Sequence, residues 1–234
     1  SDPYVIVLGV AQDAGHPQAG CVQSCCEQAW SDPSKGHRIT SLGLVDPQTD
    51  GTWLLDASPD LPRQWATLNT VSQHPKNKPL DGILLTHAHF GHYTGLMFLG
   101  RESAGAHRVP VYAMKRMEAF LSTHGPWEQL VTRHHIEIKR LRHQQSVQLN
   151  DRLWATPILV PHRDEYSETV GFHIDGPNRS ILYLPDVDKW ERMKTPIETL
   201  IERVDIAFVD GTFYTDAELP GRAMSEIPHP FMTE

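Results

Sequence analysis

The stretch LTHAHFGHYTG, residues 85 to 95, carries imidazoles at positions 87, 89 and 92 directly after the apolar run DGILL. In an extended segment, side chains two apart share a face, so His87 and His89 can aim at one point. His92 stands at the start of the helix expected next and can reach the same cavity. Neutral imidazole is the commonest metal-ligating side chain, and zinc takes three such ligands while keeping a position for water. A metal there would lower the pKa of bound water to about 7 and supply hydroxide at neutral pH. A lone histidine would read as a surface or packing residue; H-x-H-x-x-H after an apolar run reads as a metal site.

Such a cluster needs strands to hold it. YVIVLGV (4–10) is a continuous apolar, β-branched run and predicts a buried strand, followed by the Gly/Pro-punctuated loop AQDAGHPQAGC. HRITSLGLVD and TWLLDAS predict the next strand pair, with PQTDG as the turn. Pro59 to Val71 predicts a helix with a Ser58 cap and proline in its first turn. LDGILLTH predicts a strand, HYTGLMFLGRES a helix, VPVYAM a short strand and MKRMEAFLSTHG a helix closed by glycine.

After residue 133 the pattern turns mostly to strands: HHIEIKRL, QSVQLN, RLWATPILVPH, TVGFHID and RSILYLPD. A helix around Pro196–Arg203 then leads to the buried strand VDIAFVDGTFY. Two β-rich halves, each with helices, suggest an α/β fold of two face-to-face sheets with helices outside; a doubly wound sheet fits as well.

At 234 residues the chain is one large domain or two small ones, with ordinary globular composition: 39% hydrophobic and 21% charged. The net charge of -8 disfavours a long nucleic-acid partner, and the local basic stretch EIKRLRH reads as a solvated strand face. Fourteen histidines favour metal chemistry, and three cysteines confined to CVQSCC make no disulfide framework. No apolar run approaches the roughly 20 residues of a membrane span. Ser1 at the start points to a processed or bounded N-terminus, which leaves the compartment open.

The histidine stretch resembles the H-x-H-x-D-H motif of the metallo-β-lactamase superfamily. It is most similar to the branch holding coenzyme PQQ biosynthesis protein B and its related phosphodiesterases and tRNA-processing nucleases. YVIVLGVAQDAGHPQAGC, WLLDASPD, ILVPH, LYLPDVD and VDGTFYTDAELPGRAM carry the resemblance onward in the expected order. It implies a four-layer αββα sandwich, a single domain over residues 1–234 that lacks its C-terminal element. It also implies that His87, His89 and His162 bind a first metal, and that Asp186 bridges to, or completes, a second site containing His92. Asp56 and Asp210 would stand behind the ligands and orient them. The cofactor expected is zinc, one ion firmly bound and a second weak or absent, with iron or manganese as alternatives.

Departures from the family pattern shape these expectations. The metal-binding aspartate falls at Gly91, and a last histidine from a strand near the C-terminus has no counterpart before Glu234. Gly91→Asp is accordingly expected to strengthen the second ion where the C-terminal segment is present. The branch's M-G-H-M-P is MSEIP here, which puts Glu226 at the histidine's place with His229 three residues on. Glu226 and His229 join Asp186 as catalytic candidates, either of the first two as general acid. Relatives carry a structural zinc at C-x-C-x-x-C; Cys21 and Cys26 match its ends, Gln23 occupies its middle, and Cys25 or His16 could complete a set.

The expected activity is hydrolysis of a small ester, lactone or phosphodiester by metal-activated water. An iron-dependent oxygenase-type step and a non-catalytic descendant are the alternatives. Partners are expected to be small molecules, with a homodimer open to the chain.

Overall fold

Strand formation follows the apolar runs. The computed structural model describes residues 1–218, 221 and 223–234, and it divides the chain into two units, 1–140 and 141–234. Leu219, Pro220 and Arg222, within the last segment matched above, lie outside the described residues.

In the first unit, β1 (Tyr4–Gly9), β2 (Ser41–Asp46), β3 (Gly51–Leu55), β4 (Gly82–Leu84), β5 (Val109–Ala113) and β6 (Ile136–Arg140) lie side by side in sequence order. β1 to β3 pair antiparallel; β3 to β6 pair parallel, with Leu55 opposite Leu84. Every residue of β2, β3 and β4 is buried, as expected of strands covered on both faces. Leu54, Leu61, Leu68, Ile83, Leu96 and Val111 are among the residues that make one apolar core. Each such side chain stabilises the unit by about 1.5–3 kcal/mol relative to exposure.

Helix α1 (Ser24–Ser31) follows the first loop, and α2 (Leu61–Val71) follows β3. At the start of α2, proline sits in the first turn and the Ser58 hydroxyl accepts from the Asp60 amide at 3.1 Å. Asp60 accepts from the Ile39 amide at 3.0 Å and buried Gln64 donates to the Ile39 carbonyl at 2.7 Å, so α2 anchors the segment before β2.

Several sequence expectations change. β1 and β11, read as buried strands, are edge strands of their sheets and mostly half-buried or exposed. Helix α2 starts at Leu61 with Asp60 rather than Ser58 at its N-cap, and the helix of MKRMEAFLSTHG ends at Thr123, before the glycine. The helix expected over residues 92–103 is one α-turn, α3 (Phe90–Tyr93), continued as a 3-10 helix over Thr94–Leu99. A Cβ at Gly95 would lie 2.0 Å from the Ser58 carbonyl oxygen, so the chain passes there too closely for a side chain. HHIEIKRL supplies β6 to the first sheet, parallel to β5, rather than opening the second half. After α4 (Lys115–Thr123), a further helix, α5 (Trp127–Thr132), buries Trp127 and Leu130.

The second unit holds β7 (Val147–Asn150), β8 (Leu153–Leu159), β9 (Val170–Asp175), β10 (Ser180–Leu184) and β11 (Ile206–Val209) in the order β11-β10-β9-β8-β7. All pairs are antiparallel except β10 with β11, which needs a crossover; α6 (Ile197–Ile201) lies in it. Val160, Leu182, Leu184, Val187, Ile197 and Leu200 form its core. Among the described residues, no helix is long and apolar enough to cross a membrane.

Candidate metal centre

Parallel neighbours β3 and β4 end level with each other, so the residues after them emerge together. Asp56 follows β3 and donates its amide to the Leu84 carbonyl at 2.8 Å. Its φ is +65°, a left-handed conformation that costs a residue other than glycine about 1–2 kcal/mol and that aspartate tolerates better than most. The fully buried carboxylate collects the next loop. It accepts from the Thr86 amide at 2.8 Å, from the Thr86 hydroxyl at 2.9 Å, and from His92 Nδ1 at 2.7 Å.

This network fixes where the imidazole protons sit. The Thr86 hydroxyl gives its hydrogen to Asp56, so at 2.9 Å it accepts from His87 Nδ1. His92 likewise spends its Nδ1–H on Asp56. Each ring then has its Nε2, the atom that metal ligation needs, on the side away from this network. The rings are close: His87 to His89 centroids lie 4.5 Å apart and His87 to His92 4.3 Å. His87 and His92 are buried and His89 is half-buried.

Gly91 holds a feature that the motif concealed. A Cβ built there would stand 2.4 Å from Asp13 Oδ1 and 2.6 Å from Asp13 Cα. The expectation that Gly91→Asp strengthens a second ion is therefore overturned, because the required room is already filled by another residue's backbone and carboxylate. Asp13 Oδ1 lies 3.0 Å from His92 Nε2. The sequence reading missed Asp13; its only signal was an acidic residue inside a Gly-rich turn after β1.

In the second unit, three strand ends supply a comparable group. His162 follows β8, Asp186 follows β10 and Asp210 follows β11. His162 Nδ1 pairs with Asp188 Oδ1 at 3.1 Å, which leaves its Nε2 directed elsewhere. Asp210 accepts from the Thr212 amide at 2.9 Å, the Thr212 hydroxyl at 2.6 Å, the Val187 amide at 3.2 Å and His229 Nδ1 at 2.6 Å. Asp186, Asp210 and His229 bring ligand-type atoms within 4.8 Å of one another, with Asp186 Oδ1 3.8 Å from His229 Nδ1. Burial of the His229 ring opposes its charge. The hydrogen bond and charge of Asp210, with Asp186 and Asp188 behind it, outweigh that, and His229 titrates above the ordinary histidine range. Glu226 is not in this group: it is exposed on the 3-10 turn Met224–Glu226.

The cysteines lie at the entry of α1, with Cys25 and Cys26 in its first turn rather than in open loop. Cys21 and Cys25 sulfurs are 4.0 Å apart, Cys25 and Cys26 3.9 Å, and all three sulfurs lie within 4.8 Å of one another. All are free thiols. His16 does not join them: its Nε2 donates to the Cys25 carbonyl at 2.8 Å and its ring stacks on His37. Hydrogen bonds from the Cys26 thiol and the Gln23 backbone hold the Cys21 thiol below its usual range.

Residues 52–232 match the model of a family described as a beta-lactamase superfamily domain. The coenzyme PQQ synthesis protein B of Rhizobium meliloti (strain 1021) is 28% identical over 253 residues, covering 97% of this chain and 80% of that protein. The protein of the same description from Xanthomonas axonopodis pv. citri (strain 306) is 27% identical, covering 95% and 77%. Among solved structures, Zn(2+)-bound PqqB from Methylobacterium extorquens superposes with a TM-score of 0.77 at 23% identity, over 97% of this chain and 81% of that one. A diphosphatase of the PhnP family gives a TM-score of 0.70 at 22% identity, over 100% and 79%. At these identities the structural likeness shows a shared fold of two sheets with helices.

Proposed function

This chain belongs to the beta-lactamase superfamily and has the mixed α/β metallo-β-lactamase fold, and on that premise we propose that it is a metal-dependent hydrolase of a small ester, lactone or phosphodiester. The observation that carries the reading is the Asp56–Thr86 network, which sets both His87 and His92 in the tautomer that offers Nε2. Imidazoles backed by carboxylate and hydroxyl suit zinc as a donor set, with iron or manganese as alternatives.

In this proposal the two units act as one domain. His87 and His89 from the first and His162 from the second hold one ion, while His92 and Asp186 serve another. When bound, the metal supplies an ionised water near neutral pH and polarises the electrophile. The chain's own residues do the rest. Asp56 and Asp188 orient imidazoles through Nδ1. His229, kept protonated past the ordinary range by Asp210, holds a proton for the leaving group. The net charge of -8 favours a small substrate over a long nucleic acid. Likeness to a coenzyme-synthesis protein and to a diphosphatase supports a small molecule, phosphate esters included. We also propose that the three thiols hold a structural zinc with a fourth ligand other than His16.

The test is metal content by mass spectrometry, paired with a panel of nitrophenyl esters, lactones and small phosphodiesters. Wild type should carry metal and turn over at least one substrate class; His87→Ala and His162→Ala should each lose an ion and the activity. Either variant keeping its full metal would refute the ligand assignment. Iron with oxygen uptake in place of hydrolysis would favour the oxygenase-type alternative.

A further inference from the structure

We infer that Asp13, from the turn after β1, is the carboxylate ligand of the second ion and takes the place of the side chain that Gly91 lacks. This inference rests on the metal-hydrolase reading above and concerns only how the His92 site is completed.

Three observations meet at this point. First, the space is shared: a Cβ at position 91 would fall 2.4 Å from Asp13 Oδ1 and 2.9 Å from Asp13 Cγ. The carboxylate of Asp13 therefore occupies the volume that a side chain from residue 91 would enter. The glycine is needed for Asp13 to be there at all.

Second, the partner is a ring already committed on its other side. His92 gives Nδ1–H to the buried Asp56 at 2.7 Å, and its Nε2 faces Asp13 Oδ1 at 3.0 Å. Two acceptors facing each other at that distance repel unless a positive species lies between or beside them. A second proton on His92 is one such species; a metal ion is the other. Two donors on one tetrahedral ion with bonds of ~2.0–2.1 Å stand roughly 3.3 Å apart, a few tenths of an ångström more than this spacing. The Asp13 side chain is 26% exposed, while Oδ1, the atom that faces His92, is itself buried.

Third, the turn is built to hold Asp13 in place. The Gly15 amide donates to the Gln12 carbonyl at 2.8 Å, closing a turn in which Gly15 takes φ +71°. Both flanks are tied to the segment before β2: Ala11 bridges Ile39 and His16 bridges His37. That segment is itself clamped by Asp60 and Gln64 at the start of α2.

The experiment counts metal in zinc-loaded, desalted wild type, Asp13→Asn, Gly91→Ala and His87→Ala proteins, with far-UV circular dichroism as the check on folding. Asp13→Asn is near-isosteric and should bind one equivalent fewer than wild type. Competition against a chromophoric chelator should place its weaker site at least ~100-fold poorer, the upper end of what loss of mere supporting contacts does. Gly91→Ala should mimic it by pushing the Asp13 turn aside, while His87→Ala loses the other ion. If His87→Ala loses metal and Asp13→Asn keeps the wild-type count and affinity, Asp13 is not a ligand and the contact with His92 is an ion pair only. If His87→Ala also keeps its metal, the hydrolase reading fails and this inference with it.

Discussion

Replacing Asp56 by asparagine separates the orienting role of this carboxylate from simple occupancy. The amide oxygen can still accept from the Thr86 amide and hydroxyl, now at 2.8 and 2.9 Å. The amide nitrogen, however, takes the place of the oxygen 2.7 Å from His92 Nδ1, so a donor would face a donor. His92 escapes by moving its proton to Nε2, the atom required for the metal. A charge-assisted hydrogen bond contributes about 1.5–3 kcal/mol. Removing a fully buried negative charge returns part of that, giving a net loss of about 1–3 kcal/mol. For a chain of this size that lowers Tm by roughly 2–12 °C. Supporting partners of a ligating histidine are worth about 10–100-fold in metal affinity, and the second ion should weaken by that factor. Thermal shift with and without chelator, together with zinc competition, reads both quantities. Asp56→Ala should cost more, because it orphans the Thr86 donors and places alanine at φ +65°. A Tm within about 1 °C of wild type and zinc affinity within about twofold for Asp56→Asn would refute the reasoning.

His229→Gln should lower kcat by about 10²-fold or more on substrates with poor leaving groups and much less on nitrophenyl substrates, measured by steady-state kinetics across both. Because His229 titrates above the ordinary range, the alkaline fall of kcat/KM in wild type should have its midpoint above about 6.5, and that limb should vanish in the variant. In chelator-treated protein, limited iodoacetamide followed by peptide mass spectrometry should find Cys21 alkylated before Cys26, since only the former's thiol is held below its usual range and Cys26 is buried.

Much of the first sheet was legible because β2, β3 and β4 are buried on both faces and so read as unbroken apolar runs. What such runs do not encode is partnership. HHIEIKRL looks like any other strand of the later half, and only the parallel register of Ile136 with Val109 assigns it to the first sheet. Helix α1 escaped notice because SCCEQAWS has no apolar stripe; it buries only Cys26 and Ala29. The residues after 92 looked like one helix because local pattern cannot register the Ser58 carbonyl lying against Gly95. For the site, H-x-H-x-x-H pointed to the imidazoles and the strand-terminal Asp56 to their support. Asp13 was hidden for a plain reason: acidic residues beside glycine are ordinary turn formers, and only coordinates reveal what such a turn leans on.

The contact between the first loop and α3 joins positions 13 and 92, far apart along the backbone. An ion shared there would act as a clasp that stitches the beginning of the chain to the middle of its sheet. Proteases seeking a way in at the leading loop would then meet a locked door when the ion is loaded and an open one after chelation, so resistance to nicking near Asp13 becomes a gauge of metal status that needs no substrate.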